Sequence, residues 1–232
     1  MQLCQSIIGG APRQSGQAPI DKFYAATGEV IAKVEPATPE MLDDAVAIAA
    51  EAQKDWARRE AAERAAILHR AADLMRAHNE ELSRLEVQDV GKSLAEARTA
   101  DVPSGPDALS YFAALTQTET GSMQRFGDAI VYSERTPLGI CAGIGAWNYP
   151  VQIACWKSAP ALAAGNAFIL KPSEMTPLTA NRIAELYAEA GLPDGLFQVL
   201  HGDYQIGRAI CAAGTQPAAY RCGGEQIGEA VG

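Results

Sequence analysis

Residues 138–203 read LGICAGIGAWNYPVQIACWKSAPALAAGNAFILKPSEMTPLTANRIAELYAEAGLPDGLFQVLHGD, and this stretch decides the fold. It opens on an apolar, glycine-punctuated run without helical spacing, from Leu138 to Gly145. A helical segment over 150–163 leads to the apolar strand 167–170. A second helix over 179–190 leads to the strand 196–200, and a short helix starts after Gly202. Apolar strands separated by helices call for right-handed crossovers and a parallel sheet buried on both faces. The sequence therefore predicts an α/β class with a Rossmann-like parallel sheet and flanking helices.

Upstream the chain reads as helical, with little strand. Val30, Ala32 and Val34 alternate as in a half-buried strand after a turn at Ala26, Thr27 and Gly28, and this strand is taken to begin the fold. Thr38 before Pro39 is an N-cap with a first-turn proline, and predicts a helix to about Arg58. A second helix carries Ile67, Ala71, Leu74 and Met75 on one face, and Leu82 and Leu85 start another stripe. Gly91 and the cluster from Pro103 to Pro106 are expected to break the next helices, before an amphipathic stretch at Leu109, Phe112 and Leu115. AIVYSER, from Ala129, is strand-like. The expected division is 1–128 as a helical and hairpin part and 129–232 as the βαβ core.

The composition excludes several functions. A net charge of -9 argues against nucleic acid as the main partner, and no apolar run reaches the length of a membrane span. The N-terminus lacks a basic segment followed by an apolar one, so the expected location is cytoplasmic. Five widely spaced cysteines without a CxxC pattern argue against disulfides and structural zinc; each reads first as a small buried hydrophobe.

Ligands of open α/β sheets bind at the carboxyl ends of the strands. Three such ends carry polar groups: GAWNYP at 145–150, KPSE at 171–174 and His201-Gly-Asp203. Lys171 as donor and Glu174 as acceptor suit ribose hydroxyls. Asn148 offers an amide N–H to a developing oxyanion, or is a turn-forming residue before Tyr149 and Pro150.

GAWNYP and KPSE, within the almost ungapped segment 134–203 and with AERAAILHRAADLMRAHNEELSRLEVQDVGKSLAEA upstream, resemble the aldehyde dehydrogenase superfamily, in wording nearest its betaine aldehyde branch. The resemblance implies NAD as cofactor and a small aldehyde as substrate partner, in a homo-oligomer, dimer or tetramer. Gly145, Ala146 and Trp147 would line the nicotinamide-ribose and pyrophosphate side. Lys171, Pro172, Ser173 and Glu174 would hold the adenosine ribose. Asn148 would stabilise the oxyanion, and Lys157 would take part in charge relay, against the alternative of a solvated or paired surface lysine. A potassium ion (K+) would be held by Asp89 and the carbonyl of Met175, with Lys22 and Phe23 nearby; Asp89 reads equally as a helix-surface carboxylate.

The last segment departs from the family pattern. GGEQIG still resembles its glycine turn, and gives Gly224, Glu225, Gln226 and Ile227 as pyrophosphate contacts, but Cys222 stands where threonine is expected and 218–221 make a poor apolar strand. In the family the nucleophilic cysteine and the general-base glutamate lie further downstream. The expectation is thus a chain truncated before the catalytic domain and inactive alone, its parent reaction the oxidation of betaine aldehyde to glycine betaine. The other readings are a catalytically dead module, binding dinucleotide or pairing with a paralogue, and a dehydrogenase fragment for another amino- or semialdehyde.

Overall fold

The structure is a computed structural model that describes residues 2–213 and 220–223. Its centre is a six-stranded sheet. The four parallel strands are β8 (Ile140–Ile144), β9 (Ala167–Lys171), β10 (Phe197–Val199) and β11 (Tyr220–Gly223). Two short strands, β2 (Ser6–Ile8) and β3 (Ala11–Arg13), extend it antiparallel beyond β10, giving the order β11-β8-β9-β10-β2-β3. Every residue of β9 and β10 is buried, which is why β9 is a continuous rather than alternating apolar run up to Lys171; in β10 the buried Gln198 amide is satisfied by the Gly9 N–H and the Ala45 carbonyl.

Helices cover both faces. α1 (Pro39–Arg58) packs along β8, β9 and β2 and meets α8 (Tyr204–Ala213). It starts where Thr38 Oγ1 accepts the Met41 N–H at 3.3 Å. The other face carries α6 (Pro150–Ala163) and α7 (Leu178–Glu189), backed by α2 (Ala61–Ala77), α3 (Asn79–Val90) and α5 (Val102–Thr116). α6 is buried on most of its surface because it lies between the sheet and α5. Trp56, fully buried on α1, donates its indole N–H to the Leu162 carbonyl at 2.8 Å and joins the two sides.

Several sequence expectations need correction. Val30 does not begin the fold: β1 (Gln2–Cys4) and β4 (Ile20–Phe23) flank β5 (Val30–Val34) in a second, three-stranded sheet. The helical stretch divides at His78 into α2 and α3, and the stripe that starts at Leu82 lies on α3. Gly91 does end α3, at φ 82°. Pro103 to Pro106 break nothing. A short α4 (Leu94–Glu96) runs through a π-helical turn, Ala97–Asp101, straight into α5, so Pro103 falls in the first turn of the α segment, where a missing N–H is tolerated. Of the stretch that follows, Leu109 is buried, whereas Leu115 is exposed.

Ala129–Tyr132 is a strand, β7, but it pairs only with β6 (Met123–Phe126), in a hairpin exposed along its whole length; the parallel strands of the central sheet begin at Ile140. Of the poor strand expected at 218–221, Tyr220 and Arg221 lie in β11 (Tyr220–Gly223), paired with β8 in the register Tyr220 to Ile140 and Gly223 to Gly143, while 218 and 219 lie outside the described residues. Backbone ladder bonds are independent of side-chain polarity, and β8 offers an open edge there.

Candidate cofactor site

β8 and β9 end side by side, with Ile144 opposite Lys171, and the ladder continues one step further through the Gly145 N–H to the Lys171 carbonyl at 2.8 Å. This bond draws the GAWNYP turn against the KPSE loop. A methyl group on Gly145 would lie 3.3 Å from Pro172 Cα, so a larger residue would push the two loops apart. The narrow cleft between them is lined by Gly145, Ala146, Pro172, Ser173 and Thr176, with Thr179 at its floor. Trp147 stands exposed at its rim. Roomier hollows, of about 270 Å³ beside Tyr187 and about 590 Å³ beside Trp156, lie away from the strand carboxyl ends.

Lys171, buried at the end of β9, pairs with Glu174 through an Nζ to Oε2 contact of 2.9 Å. Burial alone would raise the Glu174 carboxyl, but its own backbone N–H and the Lys171 hydrogen bond and charge hold it below the usual range. The result is an ammonium and a carboxylate side by side, a donor and an acceptor suited to vicinal hydroxyls. At the end of β10, His201 is not a free acid or base. Its Nε2 hydrogen-bonds Asn181 Oδ1 at 2.8 Å, while burial, aided by the Lys171 charge, pushes it down to about 3.

The Asn148 side-chain amide, half-buried, has no hydrogen-bond partner among the described residues. It remains available to a ligand, and the residues after it are firmly held. The Val151 N–H, in the first turn of α6, donates to Glu86 Oε2 at 3.2 Å, and the Lys92 ammonium sits 3.4 Å from the Tyr149 ring centroid while bonded to Asp101. Sequence reasoning missed Glu86 and Lys92. The signal was there for Glu86: it lies four residues after buried Leu82, on the apolar stripe of α3. Fully buried, with Oε1 unpartnered, its carboxyl is pushed up to about 8, chiefly by desolvation.

Lys92→Met should cost about 2 kcal/mol, since it strips the cation from the Tyr149 ring and leaves buried Asp101 unpaired. Lys92→Arg should recover most of that. Urea midpoints of the two variants check the pair; equal midpoints for Met and wild type would show that the cluster does not hold the turn.

Lys157 is not a fully solvated surface lysine. It is half-buried on α6, and a methyl group added to Gly143 of β8 would come within 3.1 Å of its Cδ.

Of the residues assigned to potassium, Lys22, Phe23 and Asp89 come together. Asp89 is buried rather than on a helix surface, and its carboxylate accepts the N–H groups of Leu178 (3.2 Å) and Thr179 (3.1 Å), capping α7. The side chain of Lys22 is buried beside it. Its ammonium donates to the Phe23 carbonyl at 2.7 Å and the Asp89 carbonyl at 2.8 Å, and lies 4.0 Å from Asp89 Oδ1. No hydrogen bond joins Met175 to Lys22, and the Met175 side chain is exposed. Burial raises Asp89, against the pull of the Leu178 and Thr179 N–H groups and the Lys22 charge; burial lowers Lys22, against the support of Asp89. Gly224, Glu225, Gln226 and Ile227 lie outside the described residues.

Comparison with known proteins shows the family and the fold. The model of the aldehyde dehydrogenase family matches residues 12–232. A betaine aldehyde dehydrogenase of Cereibacter sphaeroides (strain ATCC 17025 / ATH 2.4.3) is 54% identical over 204 residues, covering 88% of this chain and 42% of its own length. Among solved structures, an NAD-dependent aldehyde dehydrogenase from Sinorhizobium meliloti superposes with a TM-score of 0.88 at 31% identity, covering 95% of this chain and 45% of that one. An indole-3-acetaldehyde dehydrogenase in complex with NAD+ gives 0.85 at 35% identity, covering 88% and 42%. The chain thus spans less than half the length of these relatives. Among the described residues no helix is long and apolar enough to cross a membrane.

Proposed function

This chain belongs to the aldehyde dehydrogenase family, and we propose that its strand-end cleft binds NAD as the cofactor half of a machine that oxidises betaine aldehyde to glycine betaine. The observation that carries this reading is the Lys171–Glu174 pair, fixed at the end of β9 and tied to the Gly145 turn by a backbone bond. Lys171 donates to and Glu174 accepts from the adenosine ribose hydroxyls, with Pro172 and Ser173 shaping the wall. Gly145 and Ala146 leave room for the phosphate and nicotinamide side, and Trp147 flanks it. NAD, when bound, supplies the hydride acceptor.

Asn148 brings an unclaimed amide N–H, placed to stabilise an oxyanion developing on the aldehyde carbon. A preorganised donor of this kind is worth about 3 kcal/mol of barrier. Lys157 is assigned to proton relay. Three of the thiols are poorly suited to nucleophilic attack. Cys4 and Cys155 are buried and pushed up to about 12 by desolvation, and Cys155 Sγ packs 3.7 Å from Met75 Sδ. Burial also raises Cys141. With none of the five cysteines at the position that the resemblance gives the nucleophile, the 232-residue chain alone is expected to bind cofactor without turning over aldehyde. The same reading gives a cytoplasmic, oligomeric protein with a small aldehyde as partner; betaine aldehyde is preferred because the identity to a betaine aldehyde dehydrogenase, 54%, exceeds that to the indole-3-acetaldehyde enzyme, 35%.

Calorimetric titration with NAD tests it. Lys171→Ala should weaken binding at least about tenfold, the loss of one charge-assisted hydrogen bond. NADP should bind more weakly than NAD, because an ionised Glu174 repels a 2′-phosphate. Unchanged affinity in Lys171→Ala would sink the site assignment. NADH formed from betaine aldehyde by the chain alone, and abolished by a cysteine substitution, would sink the reading of its thiols.

A further inference from the structure

We propose that the Lys22 ammonium is this chain's own monovalent cation, filling from within the place that the resemblance assigned to potassium, so that no alkali ion binds there. The Phe23 and Asp89 oxygens that would face a potassium ion are already engaged. Nζ lies 2.7 Å from the Phe23 carbonyl and 2.8 Å from the Asp89 carbonyl, both ordinary ammonium hydrogen bonds, with Asp89 Oδ1 at 4.0 Å. The residues present therefore do not fit a potassium ion in addition: it would have to share two carbonyls with a buried positive charge.

The local backbone explains how a strand residue reaches this position. β4 shifts register against β5 between Lys22 and Phe23. The irregularity lets the Phe23 carbonyl meet the side chain of the residue before it, while the Phe23 ring points outward and is exposed. The Asp89 carbonyl belongs to the last turn of α3, where the helix dipole favours a cation. The Asp89 carboxylate in turn caps α7 at Leu178 and Thr179. One lysine thus ties β4, the end of α3 and, through Asp89, the start of α7, the helix that follows the KPSE loop.

The test is the thermal unfolding midpoint in potassium, sodium and tetramethylammonium chloride at equal ionic strength. The wild-type chain should give the same midpoint in all three. Lys22→Ala, which frees the two carbonyls and removes the charge beside the Asp89 carboxylate, should unfold at lower temperature. It should regain several degrees in potassium but not in tetramethylammonium, the rise growing with concentration as binding linkage requires. A saturable, potassium-specific rise in the wild-type midpoint would overturn the proposal, whether or not Lys22→Ala folds. So would a folded Lys22→Ala that responds identically to the three salts.

Discussion

Asp89→Ala should lower the free energy of unfolding by about 3–5 kcal/mol, the range for breaking one side of a buried ion pair. Three losses coincide. The N–H groups of Leu178 and Thr179 and the Thr179 hydroxyl lose their acceptor, the dipole of α7 loses its anionic cap, and the buried Lys22 ammonium keeps only two carbonyls for company. The Coulombic part is not the largest, because the ammonium and carboxylate stand 4.0 Å apart. The stranded donors and the uncompensated charge dominate. Asp89→Asn keeps one acceptor oxygen and should cost about half as much. Urea midpoints of the two variants give the comparison, and a loss below about 1 kcal/mol for the alanine would mean that Asp89 is not the anchor of α7. Because α7 directly follows the loop bearing Lys171 and Glu174, NAD binding should weaken in the same order, alanine more than asparagine.

The parts of the fold legible in the sequence are those whose signal is local. β9 is an uninterrupted apolar run up to Lys171 because both of its faces are covered, and α1 announces itself through Thr38 and Pro39. β1, β2 and β3 are three residues each, too short to show a period. β2, for instance, is fixed by its pairing with β10 nearly two hundred positions away. Pro103 and Pro106 misled because a π-helical turn shifts the hydrogen-bond register just before them, which residue preferences do not disclose. At the site, the strand carboxyl ends singled out in the sequence lie side by side in the fold, Gly145 against Pro172 and Lys171 against Glu174. It could not show that Lys22 would turn its own side chain onto the carbonyls that a cation would need, since the assignment treated the residue as backbone oxygen only. Glu86 was passed over for a related reason: a charge on an apolar stripe looks like an interruption until its helix-cap partner, the Val151 N–H, is seen.

Glu86 carries the largest expected pH effect. In the unfolded chain its carboxyl titrates near 4.5, and in the fold at about 8, because full burial costs the carboxylate more than its favourable contacts return. The favourable side is the Val151 N–H and the Lys92 charge; the Asp101 and Asp89 carboxylates add to the rise. Between those two values the folded protein holds a proton that the unfolded chain has released. The unfolded state thus binds fewer protons, and stability must fall as pH rises from about 4.5 to about 8. At about 1.4 kcal/mol per pKa unit the total is of the order of 2–5 kcal/mol. Asp89, also raised by burial, acts in the same direction, whereas His201, lowered to about 3 by burial, removes stability as pH falls below about 6.5. A single wild-type curve therefore mixes opposite slopes, and the informative quantity is a difference. Glu86→Gln keeps the shape and the acceptor for Val151 but cannot ionise. Near pH 5 it should match the wild type to within about 1 kcal/mol, and by pH 8.5 it should be the more stable by the amount above. Parallel unfolding curves for the two proteins across that interval would show that Glu86 ionises normally in the fold. The start of α6, and with it the turn that presents Asn148, would then rest on a carboxylate rather than on a neutral acid.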